Sequence, residues 1–183
     1  MKRVILIAAA LLAFAPQASF AKGEKTVMVG GAAMYPSKNI VENAVNSKDH
    51  TTLVAAVKAA GLVETLQSAG PFTVFAPTNA AFGMLPAGTV DNLVKPENKA
   101  TLTSILTYHV VAGNWSAEAI MDKVKAGGGM FKAKTVQGGE LTFMWKDKSL
   151  WIKDAKGGVA KVTIKDVNQS NGVIHVIDHV LMP

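Results

Sequence analysis

Asn171-Gly172-Val173-Ile174-His175-Val176-Ile177-Asp178-His179-Val180-Leu181-Met182-Pro183 is the stretch that decides how this chain folds. Asn-Gly is a tight-turn dipeptide, and the β-branched residues after it form a strand. A chain that stops just past such a strand is expected to have its C-terminus tied down. A second strand phrase stands about a hundred residues earlier, Phe72-Thr73-Val74-Phe75-Ala76-Pro77. Pro77 ends it, and Thr78 and Asn79 can cap the helical turn that holds Ala80, Ala81 and Phe82. Between the two phrases lies Leu106-Thr107-Tyr108-His109-Val110-Val111.

The elements around these blocks separate by type. Apolar residues recur at helical spacing from Pro36 to Gln67, with Ser37 the expected first cap and Gly61 a break. Further helices are expected near Thr89–Val94, from Pro96 to His109, and after Ser116 up to Gly127-Gly128-Gly129. From Met130 the period changes to two. Met130–Thr135, Leu141–Trp145, Ser149–Lys153 and Val159–Val167 read as strands joined by tight turns. Helices first and antiparallel hairpins last is an α+β pattern. Strand 71–76 comes early and must join the late strands. No internal repeat is present.

In order and spacing, the three blocks resemble the two signature blocks and the central Tyr-His motif of the fasciclin (FAS1) domain family. The resemblance covers residues 37–183. It implies a β wedge of two small sheets, with an N-terminal set of helices packed on it. It also implies a module that binds and carries out no reaction. Phe72, Thr73, Phe75, Ala76, Pro77, Thr78, Asn79, Phe82, Asn171, Gly172, His175, Ile177 and Asp178 fall on family motif positions, and the resemblance implies structural roles for them. Tyr108-His109 matches a pair linked to adhesion-receptor binding in many fasciclin domains. Asp166-Val167 matches the position of an Asp-Ile pair implicated in integrin binding in animal members. These four are the candidate binding residues; the competing reading is structural, with Tyr108 and His109 as half-buried rings that hydrogen-bond the Thr78-Asn79 loop and Asp166 as an acidic residue ending a strand.

The N-terminus reads as an export signal. Met1-Lys2-Arg3 is positive, Val4–Ala15 is apolar, and Ser19-Phe20-Ala21 offers small residues where a signal peptidase cuts. Residues 1–21 are therefore expected to be removed after Ala21, leaving 162 of the 183 residues. The apolar run is too short to span a bilayer. Residues 22–36, rich in glycine, are expected to form a flexible arm. The expected destination is the periplasm or the medium.

Composition excludes several functions. With no cysteine, thiol chemistry, thiolate metal sites and disulfides are out. The mature chain has 17 lysines, 13 acidic residues and no arginine. Arginine is the usual bidentate reader of phosphate and guanine, so sequence-specific nucleic-acid binding is not expected. No Gly-x-Ser-x-Gly turn, phosphate loop or paired helical carboxylates occur. His175 and His179 are four apart, but on a strand that separates them by ~13 Å, so no metal site is expected. His175, Ile177 and His179 are expected instead on the exposed face of the strand. Trp145 and Trp151 could form a carbohydrate platform or an apolar wall, or simply pack across strands.

Together these readings describe a secreted, non-enzymatic adhesion or interaction module without a cofactor. It would act as a monomer that does not span the membrane, on a surface protein or an extracellular polysaccharide. The exposed candidates for contact are the Tyr108-His109 helix end, the Asp166-Val167 strand end and a lysine hairpin of Lys146, Lys148 and Lys153. Some fasciclin-like proteins bind carotenoids, so the competing reading is a carrier of a small apolar ligand.

Overall fold

Hydrogen bonding ties the C-terminal strand β9 (Gly172–Ile177) in parallel to β3 (Phe72–Pro77), residue for residue from Phe72↔Gly172 to Pro77↔Ile177. The computed structural model describes residues 25–183. With this pair, seven strands follow one another in a continuous order. The antiparallel strand β4 (Val110–Ala112) flanks β3. On the other side lie β8 (Val159–Gln169), β7 (Ser149–Lys153), β6 (Glu140–Lys146) and β5 (Met130–Lys134). Two register shifts bend β8, between Val162 and Ile164 and between Ile164 and Val167. Its first residues pair with β7 and its length pairs with β9. The bend divides the strands into the two limbs of a wedge. A bridge between Val111 and Thr135 and a bond from the Val136 N–H to the Val110 carbonyl (2.8 Å) nearly close the wedge into a barrel.

The helices follow the apolar spacing. They are α1 (Ile40–Ala44), α2 (Thr51–Ala60), α3 (Val63–Gln67), α4 (Asn79–Gly83), α5 (Thr89–Leu93), α6 (Lys99–Tyr108) and α7 (Ala117–Ala126). Gly61, at φ 72°, ends α2 in the left-handed conformation that suits glycine. Ser116 caps α7 by accepting from the Ala119 N–H. The first cap is Asn39, not Ser37. Its side chain accepts from the Glu42 N–H, while the Glu42 carboxylate accepts from the Asn39 N–H. This reciprocal box satisfies two orphan donors at once.

Side-chain alternation on β3 and β9 separates two cores. Val74, Ala76, Ile174 and Val176 face the layer of α1, α2 and α6. Phe75 and Ile177 face the interior of the wedge, with Leu141, Phe143, Leu150 and Ile152, and α7 covers that side with Ile120 and Val124. β9 is therefore buried on both faces, as expected of a strand with a parallel neighbour. His175 and Ile177 are consequently buried, not exposed.

The N-terminal expectation also changes. Val27–Val29 (β1) and Ala32–Met34 (β2) form an antiparallel hairpin through Gly30-Gly31. Val29 and Met34 are each only 3% exposed and join the helical-side core. Packed structure thus starts by Val27, ahead of residue 37, and a flexible arm does not describe residues 27–34. The export signal of residues 1–21 lies outside the described residues.

Candidate functional site

The Tyr-His motif at the end of α6 is an internal rivet. Tyr108 is 0% exposed and His109 3%. The Tyr108 hydroxyl donates to the Glu140 carbonyl at 2.7 Å and accepts from the Ala155 N–H at 3.0 Å. One phenol thus joins α6 to the start of β6 and to the β7–β8 turn. Burial pushes its pKa up. His109 Nδ1 donates to the Ile105 carbonyl at 2.8 Å, and Nε2 accepts from the Leu181 N–H at 3.0 Å. Those two partners fix the tautomer. Burial lowers the His109 pKa to about 4, against the opposing pull of the Ile105 carbonyl and Asp154. Neither ring reaches the Thr78-Asn79 loop, and neither is exposed for a partner. The expected contact surface at this helix end is overturned by burial.

Asp166 and Val167 sit at the bend of β8. Val167 is buried at 1% and belongs to the core. Asp166 is half-buried and adopts φ 57°, a left-handed conformation that aspartate tolerates. The bend turns its carboxylate onto the first N–H of α7, Ala117, at 2.7 Å. That placement suits a negative charge at a helix start. Its own N–H donates to His175 Nδ1 at 3.3 Å, and His175 Nε2 donates to the Trp115 carbonyl at 2.8 Å. His175 also stacks on Phe75, with ring centroids 5.6 Å apart. Burial lowers its pKa. Both nitrogens are occupied by backbone groups, while His179 is exposed beside Asp178 at 2.7 Å. The two histidines sit in opposite environments and share no ligand role. Among the described residues there is no group of three or more metal-ligating side chains.

The other motif residues join backbone segments. Thr73 Oγ1 donates to the Gly113 carbonyl and accepts from the Trp115 N–H. Thr78 caps α4 through the Ala81 N–H, while Asn79 bonds the Thr52 N–H and the Lys48 carbonyl. Asn171 accepts from the Ile40 N–H and donates to the Leu66 and Ser68 carbonyls. Gly172 passes so close to Phe72 that a Cβ there would overlap the Phe72 carbonyl. Ala76 and Phe82 are core, and Asp178 accepts from the Lys161 N–H.

Several polar groups carry no motif and escape sequence reasoning. Asn43 bonds Tyr35 and Gln169. Asp154 holds the Gly158 and Met182 N–H groups. Ser47 Oγ meets His50 Nδ1 at 2.9 Å, and His50 Nε2 has no hydrogen-bond partner among the described residues. The Ala76 backbone approaches that ring without hydrogen-bond geometry, and burial still lowers the His50 pKa.

Between α1–α3 and the sheet lies a cavity of about 80 Å³. Val41, Leu53, Val57, Leu66, Val74 and Ile174 line it, with the His50 ring in its wall. The two tryptophans of the hairpins do not form a joint platform. Trp145 pairs with buried Leu150 on the core face, while Trp151 pairs with Met144 on the outward face.

The family profile described as the fasciclin domain matches residues 48–183. Protein sll1483 of Synechocystis sp. is 46% identical over 190 residues, covering 96% of this chain and 97% of that protein. Immunogenic protein MPB70 of Mycobacterium bovis is 42% identical, covering 76% of this chain and 66% of its own. Cell surface glycolipoprotein MPB83 of Mycobacterium bovis is 37% identical, covering 85% and 64%. Among solved structures, a FAS1 domain pair from the insect cell adhesion molecule Fasciclin I aligns with a TM-score of 0.72 at 17% identity. That alignment covers 81% of this chain and 52% of the pair.

Proposed function

The chain belongs to the fasciclin domain family, and from that premise we propose that it is an exported interaction module that binds a surface protein or an extracellular polysaccharide without catalysis. One observation supports this reading most. The polar side chains of the motif blocks and of the β8 bend are committed to backbone groups: Tyr108, His109, Thr73, Asp166, Asn171 and His175 each join two or more chain segments. Such residues stiffen a scaffold, and binding is left to its surface. The names of MPB70 and MPB83 place relatives among immunogenic and cell-surface proteins.

The test is capture from envelope extract and extracellular polysaccharide with immobilised mature protein. A specific, saturable partner supports the reading. Turnover of a substrate by the same preparation, with no partner retained, refutes it. Export is tested by N-terminal sequencing of protein recovered from periplasm or medium, with Lys22 the expected first residue. An intact Met1 in a membrane fraction would overturn the cleavage.

The apolar cavity favours a second reading, a carrier of a small apolar ligand. A dry apolar cavity of ~150 Å³ admits a benzene-sized guest. At about 80 Å³ this one must open between α2 and the sheet before a carotenoid-sized molecule enters. Purified protein that is coloured, or that releases an apolar molecule on extraction into solvent, supports the carrier.

A further inference from the structure

We propose that the outward face of β5–β8 is a docking surface for a linear acidic polysaccharide; the proposal rests on the interaction-module reading and names its partner class. Strand register builds this face. Met130, Met144, Trp151 and Lys161 lie in one row across the four strands. Lys132, Thr142, Lys153 and Val159 form the next row. Lys134 and Lys146 flank the rows on β5 and β6, and Lys148 lies in the β6–β7 turn. The opposite faces of these strands, with Leu141, Phe143, Leu150, Ile152 and Ala160, fill the wedge core.

Charge is segregated onto this part of the fold. Residues 130–165 hold eight lysines against three acidic residues. The other described residues hold eight lysines against nine acidic residues. Counted to the end of β8, which adds Asp166, the four strands and their turns hold eight lysines against four acidic residues and carry the net positive charge, and the other described residues balance at eight of each. Of the three acids in 130–165, Asp154 is buried and turned to the Gly158 and Met182 N–H groups, Glu140 pairs with Lys132 at 3.5 Å, and Asp147 is exposed in the β6–β7 turn between Lys146 and Lys148. Like charges held this close repel one another, and a polyanion relieves the repulsion.

The chemistry of the face selects the partner. Lysine ammoniums are point charges on flexible stems and impose no bidentate geometry. They suit carboxylates or sulfates repeated along a chain more than a single fixed phosphate. Neighbouring strands are ~4.8 Å apart, so Lys132 on β5 and Lys153 on β7 stand ~10 Å apart at their backbones, a periodic array. Trp151 lies among them with its Nε1 bonded to the Lys146 carbonyl at 3.1 Å. That bond fixes the ring; the Lys161 Nζ stands over it at 5.9 Å, so cation and ring form one unit that meets a sugar carboxylate and the polarised C–H groups beside it. A membrane would call for protruding apolar anchors. Here only Met130, 57% exposed, and Val159, 38% exposed, stand out from the rows, and they lie on the two outer strands, β5 and β8, too far apart to make one apolar anchor.

The experiment measures binding of mature protein to immobilised alginate, a linear polyuronate, over a salt series. Three variants accompany the parent, each checked by circular dichroism and thermal melting. They are Lys132→Glu/Lys153→Glu/Lys161→Glu on the face, Lys48→Glu/Lys58→Glu/Lys99→Glu on the helical side, and Trp151→Ala. The expected result is salt-sensitive binding that the face reversal weakens more than about tenfold, while the helical-side reversal of equal charge stays within about twofold. Trp151→Ala weakens binding several-fold with an unchanged salt slope. Equal losses from the two reversals would reduce the effect to net charge and overturn the proposal. So would equal binding to neutral dextran, or preference for phosphatidylglycerol vesicles over alginate. Envelope capture with the parent and the face-reversed variant separates the two levels. Unchanged capture by the variant sinks this face and leaves the module reading standing; no capture by either sinks the module.

Discussion

His109 and Leu181, 72 positions apart in sequence, are joined by one hydrogen bond, in which the Leu181 N–H donates to Nε2 at 3.0 Å. The bond uses the lone pair that a proton would need. Protonating His109 therefore breaks the anchor of a fully buried residue, since Leu181 is 0% exposed. The following N–H, of Met182, goes to Asp154 Oδ2 at 2.9 Å. The C-terminal tail is thus held by one neutral imidazole and one carboxylate.

The pH dependence follows from the sign of the shift. The folded pKa of His109 is about 4, below the unfolded value of 6.5. The unfolded chain then binds the proton more tightly, so stability is full above pH 6.5 and falls as pH drops toward 4. At 1.36 kcal/mol per unit, the loss is about 3 kcal/mol. His50 and His175, whose pKa values are also lowered by burial, act in the same direction. Urea unfolding at pH 7.0 and 4.5 should show a clear fall in midpoint. His109→Gln should be weaker at pH 7 and lose less on acidification. Parallel pH profiles for parent and variant would rule out His109 as the source.

Tyr108→Phe tests the phenol alone. The ring still fills its site, but the Glu140 carbonyl and the Ala155 N–H each lose a partner. An orphaned buried group costs about 1–3 kcal/mol. Equilibrium unfolding should show a loss in that range, with binding of any partner by the folded variant unchanged. A folded, equally stable variant that no longer binds would return Tyr108 to the surface role expected from the sequence.

Much of this fold is legible in the sequence because its signals are local. The change of period at Met130, the Asn171-Gly172 turn and the Ser116 and Thr78 caps each rest on a few neighbouring residues. The N-terminal hairpin was equally local: Gly30-Gly31 between two short apolar runs is a hairpin signal, obscured by reading the glycines as flexibility. The site was harder. Val-Ile-His-Val-Ile is a nearly continuous apolar run, the pattern of a strand buried on both faces. Reading His175 as a polar outward residue missed it. The roles of Tyr108 and Asp166 depend on partners 32 and 49 positions away. No local pattern names such partners.

Asp166 combines a backbone demand with a side-chain demand, and three substitutions separate them. Asp166→Gly relaxes the φ of 57° but removes the carboxylate from the Ala117 N–H. Asp166→Ala loses the same bond and adds left-handed strain of roughly 1–2 kcal/mol. Asp166→Asn keeps an acceptor and tolerates the conformation. The expected order of stability is parent, then Asn, then Gly, then Ala. The helix start adds about 0.5–2 kcal/mol to the Gly and Ala losses. Melting of the four proteins under one condition tests this. An alanine variant as stable as the glycine variant would show that the bend at Asp166 carries no backbone strain.

Residues 27–34 give the sharpest contrast between a flexible arm and a packed hairpin. Val29 and Met34 both line the cavity and are buried among the helical-side apolar residues. Burying a side chain of that size is worth about 1.5–3 kcal/mol, so the pair contributes several kcal/mol before the ordering entropy of a short hairpin is subtracted. Deletion of the segment before Tyr35 would also open the cavity to water along the side where Ile40 and Val41 face it. A chain starting at Tyr35 should therefore melt well below one starting at Lys22, and should bind a dye sensitive to exposed apolar surface. The double variant Val29→Ser/Met34→Ser in the longer chain should reproduce most of that loss, because it removes the buried side chains and keeps the chain length. If the truncated and full mature chains melt together, the hairpin lies on the fold without supporting it.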